Sequence, residues 1–166
     1  MNAPRRLARL ADRWLRHPRA PAAERADVAL PLASRWIPAG GRMFSHIFVG
    51  ADDVVISKKF YDAVLGAIGV PEGKIDAKGR VFYRTPSGTF GISKPIDGNP
   101  ATHANGGTIG FTCDSPDKVK AFHDAGVANG GKSIEDPPGW REGGAKLYLA
   151  YLRDPFGNKI CALHRG

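Results

Sequence analysis

Imidazoles and thiols are scarce in this chain: there are five histidines and two cysteines among 166 residues. An imidazole titrates near neutral pH, so it can act as a general acid or base or bind a metal. A thiol is a good nucleophile only when its pKa is lowered. We single out His46 and Cys161, because the strand patterns described below place both on faces directed away from the helices. His103, His123 and His164 are expected at the surface.

Several familiar catalytic motifs are missing from the chain. It contains no GxGxxG dinucleotide fingerprint, no GxSxG nucleophile elbow, no HExxH zinc helix and no CxxC pair. We also expect no phosphate-binding P-loop, and these absences argue against nucleotide-fuelled chemistry and serine hydrolysis. The candidate residues must therefore be positioned by a fold that the sequence reveals in another way.

The charge distribution divides the chain near Met43. Residues 1–42 contain nine arginines, no lysine and three acids, whereas the whole chain has a net charge of +8. Leu and Trp spacing predicts a short basic amphipathic helix over about residues 4–16. We expect this Arg/Ala/Pro-rich extension to be disordered or dispensable for folding. The alternative is that it binds nucleic acid or an anionic membrane surface.

The remaining residues, 43–166, have the length of a single globular domain with a nearly balanced charge. No run approaches the roughly 20 apolar residues of a membrane-spanning helix. Two cysteines are too few for a secreted disulfide scaffold, so we expect a cytoplasmic protein with reduced thiols. Neither nucleic acid nor a membrane is an expected partner of this domain.

An internal repeat organises the domain. Residues 46–49 align with 108–111 at an offset of 62, and the Pro-x-Gly turns at 86–88 and 155–157 align at an offset of 69. Each copy contains an apolar strand, an acidic turn, a helix with an aromatic residue, a glycine and further strands. The repeat therefore predicts two copies of a β-α-β-β-β module.

The two modules are expected at about residues 43–94 and 107–166, joined by a linker rich in Gly, Pro and Asn. The first helix should begin after an N-cap at Asp52 or Asp53. The second should begin after Ser115, since a proline follows at the first helical position. Both helices have apolar residues at helical spacing, so each should cover one face of its strands.

Alternation along the strands sorts the candidate residues by face. In the first strand, His46 shares a face with Phe44 and Phe48, opposite the aliphatic residues that should pack under the helix. The repeat places Thr108 at the position equivalent to His46. By the same parity, Cys161 points away from the helices. These faces are predicted to line a cleft between the modules.

Three further side chains are candidates for that cleft. Arg84 lies on a strand that should line it, where a guanidinium can hold an anionic group. Tyr148 is expected on the same face as Cys161. Trp140 falls in a loop predicted at about residues 136–144, where it would form a lid. The plain alternative is that the aromatic residues pack in the core and the arginine is solvated.

The order of elements and two sequence runs resemble the vicinal oxygen chelate superfamily, which includes glyoxalase I, bleomycin-resistance proteins and extradiol dioxygenases. The runs are Met43-Phe44-Ser45-His46-Ile47 and Asp154-Pro155-Phe156-Gly157-Asn158-Lys159-Ile160. The resemblance covers residues 43–166. It implies an α+β fold in which two βαβββ modules form a cupped, mostly antiparallel eight-stranded sheet with the helices outside.

The resemblance also implies where metal ligands would lie, on the first and last strand of each module. Those positions fall at His46, about Ile92, Thr108 and Cys161. Only His46 is a good ligand for a divalent metal, and Ile92 cannot coordinate one. We therefore expect no tightly bound metal and no other cofactor, with His46 and Cys161 as the catalytic candidates.

These observations favour a glyoxalase-like protein that handles a small oxygenated metabolite in the cleft, as a lyase or isomerase. The first alternative is a non-catalytic binding or sequestering protein of the bleomycin-resistance type. The second alternative is that the basic extension gives the protein its function, by binding nucleic acid or a membrane surface. Exposed sheet edges make a homodimer the expected assembly. The residues expected to contact the ligand are Phe44, His46, Phe48, Arg84, Thr108, Trp140, Tyr148 and Cys161.

Overall fold

The computed structural model describes residues 43–166. The expectations for the N-terminal extension fall on residues 1–42 and lie outside the described part. The predicted α+β class with two βαβββ modules is confirmed. In chain order the elements are β1 (His46–Gly50), α1 (Val54–Ala67), β2 (Lys74–Ile75), β3 (Val81–Thr85), β4 (Gly88–Ser93), β5 (Ile109–Thr112), α2 (Pro116–Ala128), β6 (Lys132–Arg141), β7 (Leu147–Arg153) and β8 (Lys159–Arg165).

The strands do not form the single eight-stranded sheet that was expected. They form two separate four-stranded sheets with the orders β1-β4-β3-β2 and β5-β8-β7-β6, which we call the first and second sheets. In each sheet the first strand of the module, β1 or β5, pairs in parallel with the last strand, and the remaining pairs are antiparallel. The reason for the separation is that β1 and β5 are both edge strands, and no ladder of hydrogen bonds joins them within residues 43–166.

Both helices begin at side chains that cap their free N–H groups. The Asp53 carboxylate accepts hydrogen bonds from Val55 N (2.8 Å) and Ile56 N (3.0 Å). The Ser115 hydroxyl accepts one from Lys118 N at 3.2 Å. Ser115 is therefore confirmed as a cap, and of the two aspartates proposed for α1 it is Asp53 that caps the helix.

The helix-facing sides of the two sheets share one hydrophobic core. Phe60 of α1 and Phe122 of α2 are fully buried, and the two helices pack against each other. The modules meet where the rings of Phe90 in β4 and Phe111 lie 5.4 Å apart, edge to face. Phe111 in turn lies 5.7 Å from Phe122. Aromatic side chains thus connect the core of one module to the core of the other.

Strand β6 replaces the loop that was predicted at about residues 136–144. It pairs with β7 on both sides of an irregularity between Ile134 and Gly139. The irregularity accommodates two consecutive prolines, which a regular inner strand would not tolerate but an edge strand with a bulge does. Trp140 is therefore part of a strand, opposite Tyr148, and the lid expected for it was wrong.

One buried carboxylate links the modules through hydrogen bonds. Asp154, 4% exposed, accepts bonds from Phe156 N (2.9 Å) and Asn158 N (2.8 Å) through one oxygen. Its other oxygen accepts from the Tyr61 hydroxyl (2.9 Å) and from Asn158 Nδ2 (2.8 Å). Asn158 Nδ2 also donates to the carbonyl of Gly50 at 3.1 Å. The turn between β7 and β8 is thereby attached to α1 and β1 of the first module.

Neither α1 nor α2 is long and apolar enough to cross a membrane.

Replacing the buried carboxylate tests whether it holds the modules together. Asp154→Ala leaves the Tyr61 hydroxyl and the Asn158 amide without their acceptor, so we expect the free energy of unfolding to fall by about 3–5 kcal/mol. Tyr61→Phe removes a single donor and should cost about 1–2 kcal/mol. Urea denaturation followed by circular dichroism measures both. Asp124→Ala, at an exposed ion pair with Lys120, is the control and should cost under about 1 kcal/mol. Equal losses for Asp154→Ala and Asp124→Ala would contradict the proposed linkage.

Two buried tyrosines predict a loss of stability at alkaline pH. Burial, together with a hydrogen bond to a carboxylate, raises the pKa of Tyr61 and of Tyr83 far above the value of about 10 in an unfolded chain. Their contribution is complete below pH 10; above it the unfolded chain releases protons that the folded chain keeps. We expect the free energy of unfolding to fall there by up to about 1.4 kcal/mol per pH unit for each tyrosine. Tyr83→Phe should make this decline shallower, and an unchanged decline would count against it.

Candidate functional site

His46 belongs to a line of polar side chains on the outer face of the first sheet, the face turned away from the helices. In the strand register, His46 pairs with Thr89 and Thr89 pairs with Arg84. Side chains that are opposite each other on one face lie roughly 5 Å apart at Cβ. An imidazole, a hydroxyl and a guanidinium therefore follow one another across three strands; we call them the polar row.

The neighbouring line on the same face is aromatic and consists of Phe48, Gly91 and Phe82. The Phe48 ring lies directly over Gly91, and a Cβ atom at position 91 would overlap it. The ring centroid of Phe48 is 5.4 Å from that of Phe82 and 5.8 Å from that of His46. We call this line the aromatic row; it forms an apolar floor beside the polar row.

The register corrects the position that the repeat alignment assigned to Ile92. Ile92 pairs with Val49 and is fully buried on the helix side. Cys161 pairs with Gly110 of β5, and the residue of β1 equivalent to Gly110 is Phe48. Phe48 pairs with Gly91, so Gly91 is the residue that corresponds to Cys161. The true offset is 70 between these positions, and a slip of one residue moves a side chain to the other face of a strand.

A cleft of about 300 Å³ separates the modules where the first half of β1 and the β3–β4 turn approach β5. A second, smaller cavity of about 200 Å³ lies between the second half of β1 and the start of β5. The two strands therefore run past each other in opposite directions. The larger cleft has polar residues Ser45, His46, Thr85, Ser87, Thr89 and Thr112 and an apolar wall that includes Phe44, Leu65, Ile68, Val70, Tyr83, Phe90, Ile109 and Phe111.

His46 is exposed at this cleft, and one of its ring nitrogens is already engaged. The Ser45 hydroxyl oxygen lies 2.8 Å from His46 Nδ1. This contact orients the ring and leaves Nε2 as the nitrogen available to a ligand. The arrangement is that of an acid–base group at the edge of an apolar cleft. Phe44, 59% exposed, is part of the same cleft lining.

The family model of the Glyoxalase/Bleomycin resistance protein/Dioxygenase superfamily matches residues 43–162. The chain belongs to this superfamily. Members of the superfamily typically bind small molecules. Among curated proteins, none matches this chain.

Solved structures agree with the family assignment. A glyoxalase/bleomycin resistance protein from Albidiferax ferrireducens T118 is 62% identical, with a TM-score of 0.71, covering 74% of this chain and 99% of its own. A glyoxalase/bleomycin resistance protein/dioxygenase family enzyme from Burkholderia phytofirmans PsJN is 18% identical, with a TM-score of 0.57 and coverages of 74% and 98%. Lactoylglutathione lyase from Agrobacterium tumefaciens is 20% identical, with a TM-score of 0.54 and coverages of 76% and 95%. The last two share the fold alone.

Cys161 lies on the outer face of the second sheet, but it is covered. It is 4% exposed and pairs with Gly110 and Tyr151. Burial raises the pKa of its thiol, so the thiol is protonated at neutral pH. The lowered pKa that a thiolate nucleophile needs is not present. Cys113, on the opposite face, is also free and buried, and burial raises its pKa to about 11.

Thr108 and Phe48 border the smaller cavity, together with Asn158 and Lys159. His46 borders the 300 Å³ cleft instead, and together with Phe48 and Arg80 it also borders an open depression of about 1070 Å³. The pseudo-equivalent positions of His46 and Thr108 therefore lie at opposite ends of the β1–β5 boundary, since the two strands run in opposite directions. They are not brought into one site.

The face predicted for Tyr148 was wrong. Tyr148 pairs with His164, and it is Tyr151 that pairs with Cys161. Tyr148 packs against the core on the helix side, where its ring lies 5.4 Å from that of Trp140. Its hydroxyl donates to the carbonyl of Pro138 at 3.3 Å. The β7–β8 pairing is one residue out of step with the predicted one, which is enough to reverse every face.

Residues 126–133 match the phosphate-binding pattern GxxxxGK[ST] letter by letter, as GVANGGKS. That motif needs a loop between a strand and the start of a helix. Here the segment ends α2 and leads into β6, and both Asn129 N (3.2 Å) and Gly131 N (2.9 Å) donate to the carbonyl of Gly126. Those amides close the helix C-terminus, so they do not form a phosphate cradle.

The four positions that correspond to superfamily metal ligands hold His46, Gly91, Thr108 and Cys161. They supply one imidazole, no side chain, one neutral hydroxyl and one protonated, buried thiol. Within residues 43–166 no three His, Cys, Asp or Glu side chains gather into a group that holds a metal ion. This donor set does not fit a divalent metal that chelates substrate oxygens.

Metal analysis checks this donor-set argument. Protein purified without added metal should contain well under one equivalent of Zn, Ni, Mn or Fe, and EDTA should leave its melting temperature unchanged. A single exposed imidazole binds such ions only weakly. Plasma mass spectrometry and a thermal melt give both results. One equivalent of metal that is lost in His46→Ala would show that other donors complete the site.

Proposed function

We propose that this protein binds a small oxygenated metabolite at the cleft between its modules and moves a proton on it, in a reaction of the lyase or isomerase type. The observation that carries the proposal is an exposed imidazole, His46, at an apolar cleft, with Nδ1 engaged by Ser45 and Nε2 left for a ligand. Small-molecule sites typically combine apolar walls with a few placed polar groups.

The chemistry follows from the groups around the imidazole. Nε2 of His46 accepts a proton from a carbon next to a carbonyl, and the electron pair moves to the carbonyl oxygen. The hydroxyls of Thr89 and Thr112, which line the same cleft, can donate to that oxygen. Returning the proton to a different carbon gives an isomer, and expelling a group from the enolate gives a lyase reaction. The apolar wall limits competition from water.

Proton exchange tests the acid–base role without knowledge of the natural substrate. Hydroxyacetone and pyruvate exchange the protons next to their carbonyls for deuterium slowly, and a positioned base accelerates this by about 100-fold or more. Proton NMR in deuterium oxide should show acceleration by the wild-type protein for at least one probe. His46→Gln should abolish it and change stability by less than about 1 kcal/mol, because His46 is exposed.

His123→Gln is the matched control. Its Nε2 lies 2.8 Å from the Ser133 hydroxyl oxygen, so this imidazole is also held by a serine, but on α2. Exchange should be unaffected by that substitution. Equal loss in both variants would contradict the assignment to His46. Binding of a probe to the wild-type protein without accelerated exchange would instead indicate a sequestering protein and overturn the catalytic part of the proposal.

The assembly state and the cellular location of the protein remain predictions. The exposed edges of both sheets support a homodimer, because unpaired edge strands tend to be covered by association. The low cysteine content and free thiols support a cytoplasmic location.

A further inference from the structure

The polar row contains a positive charge that the acid–base role does not use. Arg84 is exposed, and its guanidinium carbon lies 4.6 Å from the centroid of the Phe82 ring. Among residues 43–166, no acidic side chain lies within ion-pairing distance of Arg84. A guanidinium stacked on an aromatic ring is held in place while its N–H donors stay available.

Arg80 also lies over the Phe82 ring, with its guanidinium carbon 5.1 Å from the ring centroid. Unlike Arg84, it forms an ion pair within the described part of the chain. Its Nε donates to an oxygen of Asp76 at 2.9 Å, and hydrogen bonds from Arg80 lower the pKa of Asp76 to about 2. Phe82 therefore supports two guanidiniums, of which one is neutralised by its own carboxylate. Arg84 lacks such a partner within the described residues, which makes it the group suited to an anion from outside.

The spacing of the polar row matches a planar anion joined to a reacting carbon. Thr89 lies between Arg84 and His46 in the strand register, so all three side chains rise from neighbouring strands on one face. Strands are about 4.8 Å apart, which places the arginine and histidine roughly 10 Å apart at the backbone. The Arg84 guanidinium lies over Phe82, whose ring contacts Phe48, and Phe48 in turn contacts His46. A ligand on Phe48 can therefore reach both groups, and the guanidinium fork can pair with both oxygens of a carboxylate.

The aromatic row supplies an apolar surface beside these polar groups. The outer end of the Phe48 ring reaches over position 91, because the glycine there has no Cβ atom to overlap it. This is the position at which the superfamily would place a metal donor on β4, and here the ring of a phenylalanine occupies the space above it. An apolar contact with Phe48 therefore replaces the metal ligand at this position. The positive charge on this face comes from Arg84, which lies two strands away from His46.

We propose that the ligand is a small carboxylate with an oxygen substituent on the adjacent carbon. Arg84 binds the carboxylate, with a hydrogen bond from Thr89. The apolar part of the ligand rests on Phe48, and the oxygen-bearing carbon lies at His46. This rests on the proposed function and adds to it the class of substrate and the groups that select it: the charge is recognised by an arginine, in place of a chelated metal.

Two probes of equal shape and different charge test the class. Benzoylformate carries the carboxylate, and 2-oxo-2-phenylacetamide is its neutral counterpart. Isothermal titration calorimetry on the full-length protein should give at least a tenfold lower dissociation constant for benzoylformate. Arg84→Gln should weaken benzoylformate binding by about 10- to 100-fold and leave the amide unchanged. Arg84→Lys should recover part of the loss, because it keeps the charge and loses the fork.

Lys59→Gln provides a charge-matched control, since it removes one exposed positive charge from α1, on the other side of the first sheet. It should leave both dissociation constants unchanged. Equal affinity of the wild-type protein for both probes, or equal losses in Arg84→Gln and Lys59→Gln, would overturn the carboxylate class. In that case the proposal that small molecules bind at His46 would still be supported if His46→Gln raised the dissociation constants of both probes. Absence of binding by either probe would overturn the carboxylate class and, with no proton exchange, the proposed function as well.

Discussion

A single buried carboxylate determines how the two halves of this protein meet. Asp154 orders its own turn through two backbone amides and attaches that turn to Tyr61 of the other module. Asn158 adds a bond to the carbonyl that ends β1. Within the described residues no backbone hydrogen bonds join β1 to β5. The two modules are therefore held together by side-chain hydrogen bonds and by the shared aromatic core. The gap left between these strands is the cleft.

The same geometry explains why the run Asp154-Pro155-Phe156-Gly157-Asn158 is informative about family and says little about chemistry. Its acid and amide are consumed by structural hydrogen bonds, and they contribute no free group to the cleft. The polar groups that are free to bind a ligand lie on the outer face of the first sheet. They are exposed there, so they do not need a hydrogen-bond partner within the protein. An exposed imidazole and an exposed guanidinium share that face with an aromatic floor. The division between satisfied and available polar groups separates the scaffold from the candidate site.

Errors of a single residue in strand register account for the side chains that sequence reasoning placed on the wrong face. Ile92 and Tyr148 were each assigned to the wrong face, because strand register was inferred from a turn alignment and side chains alternate every residue. Thr89 was missed for the same reason, although alternation from Arg84 across a tight turn pointed to it. The Pro-Pro-Gly segment of β6 was read as a loop, since a bulge on an edge strand cannot be told from a turn by composition.

The sequence by itself determined the module plan, the superfamily and the Ser115 helix cap, and it narrowed the cap of the first helix to Asp52 or Asp53. Local rules suffice for these features, since caps, helical spacing and repeats depend on neighbours in the chain. Only the tertiary structure decided that the sheets remain separate, that Cys161 is covered and protonated, and that His46 and Thr108 border different cavities. Those outcomes depend on strand register and on how two modules pack, which are set by contacts between residues far apart in sequence.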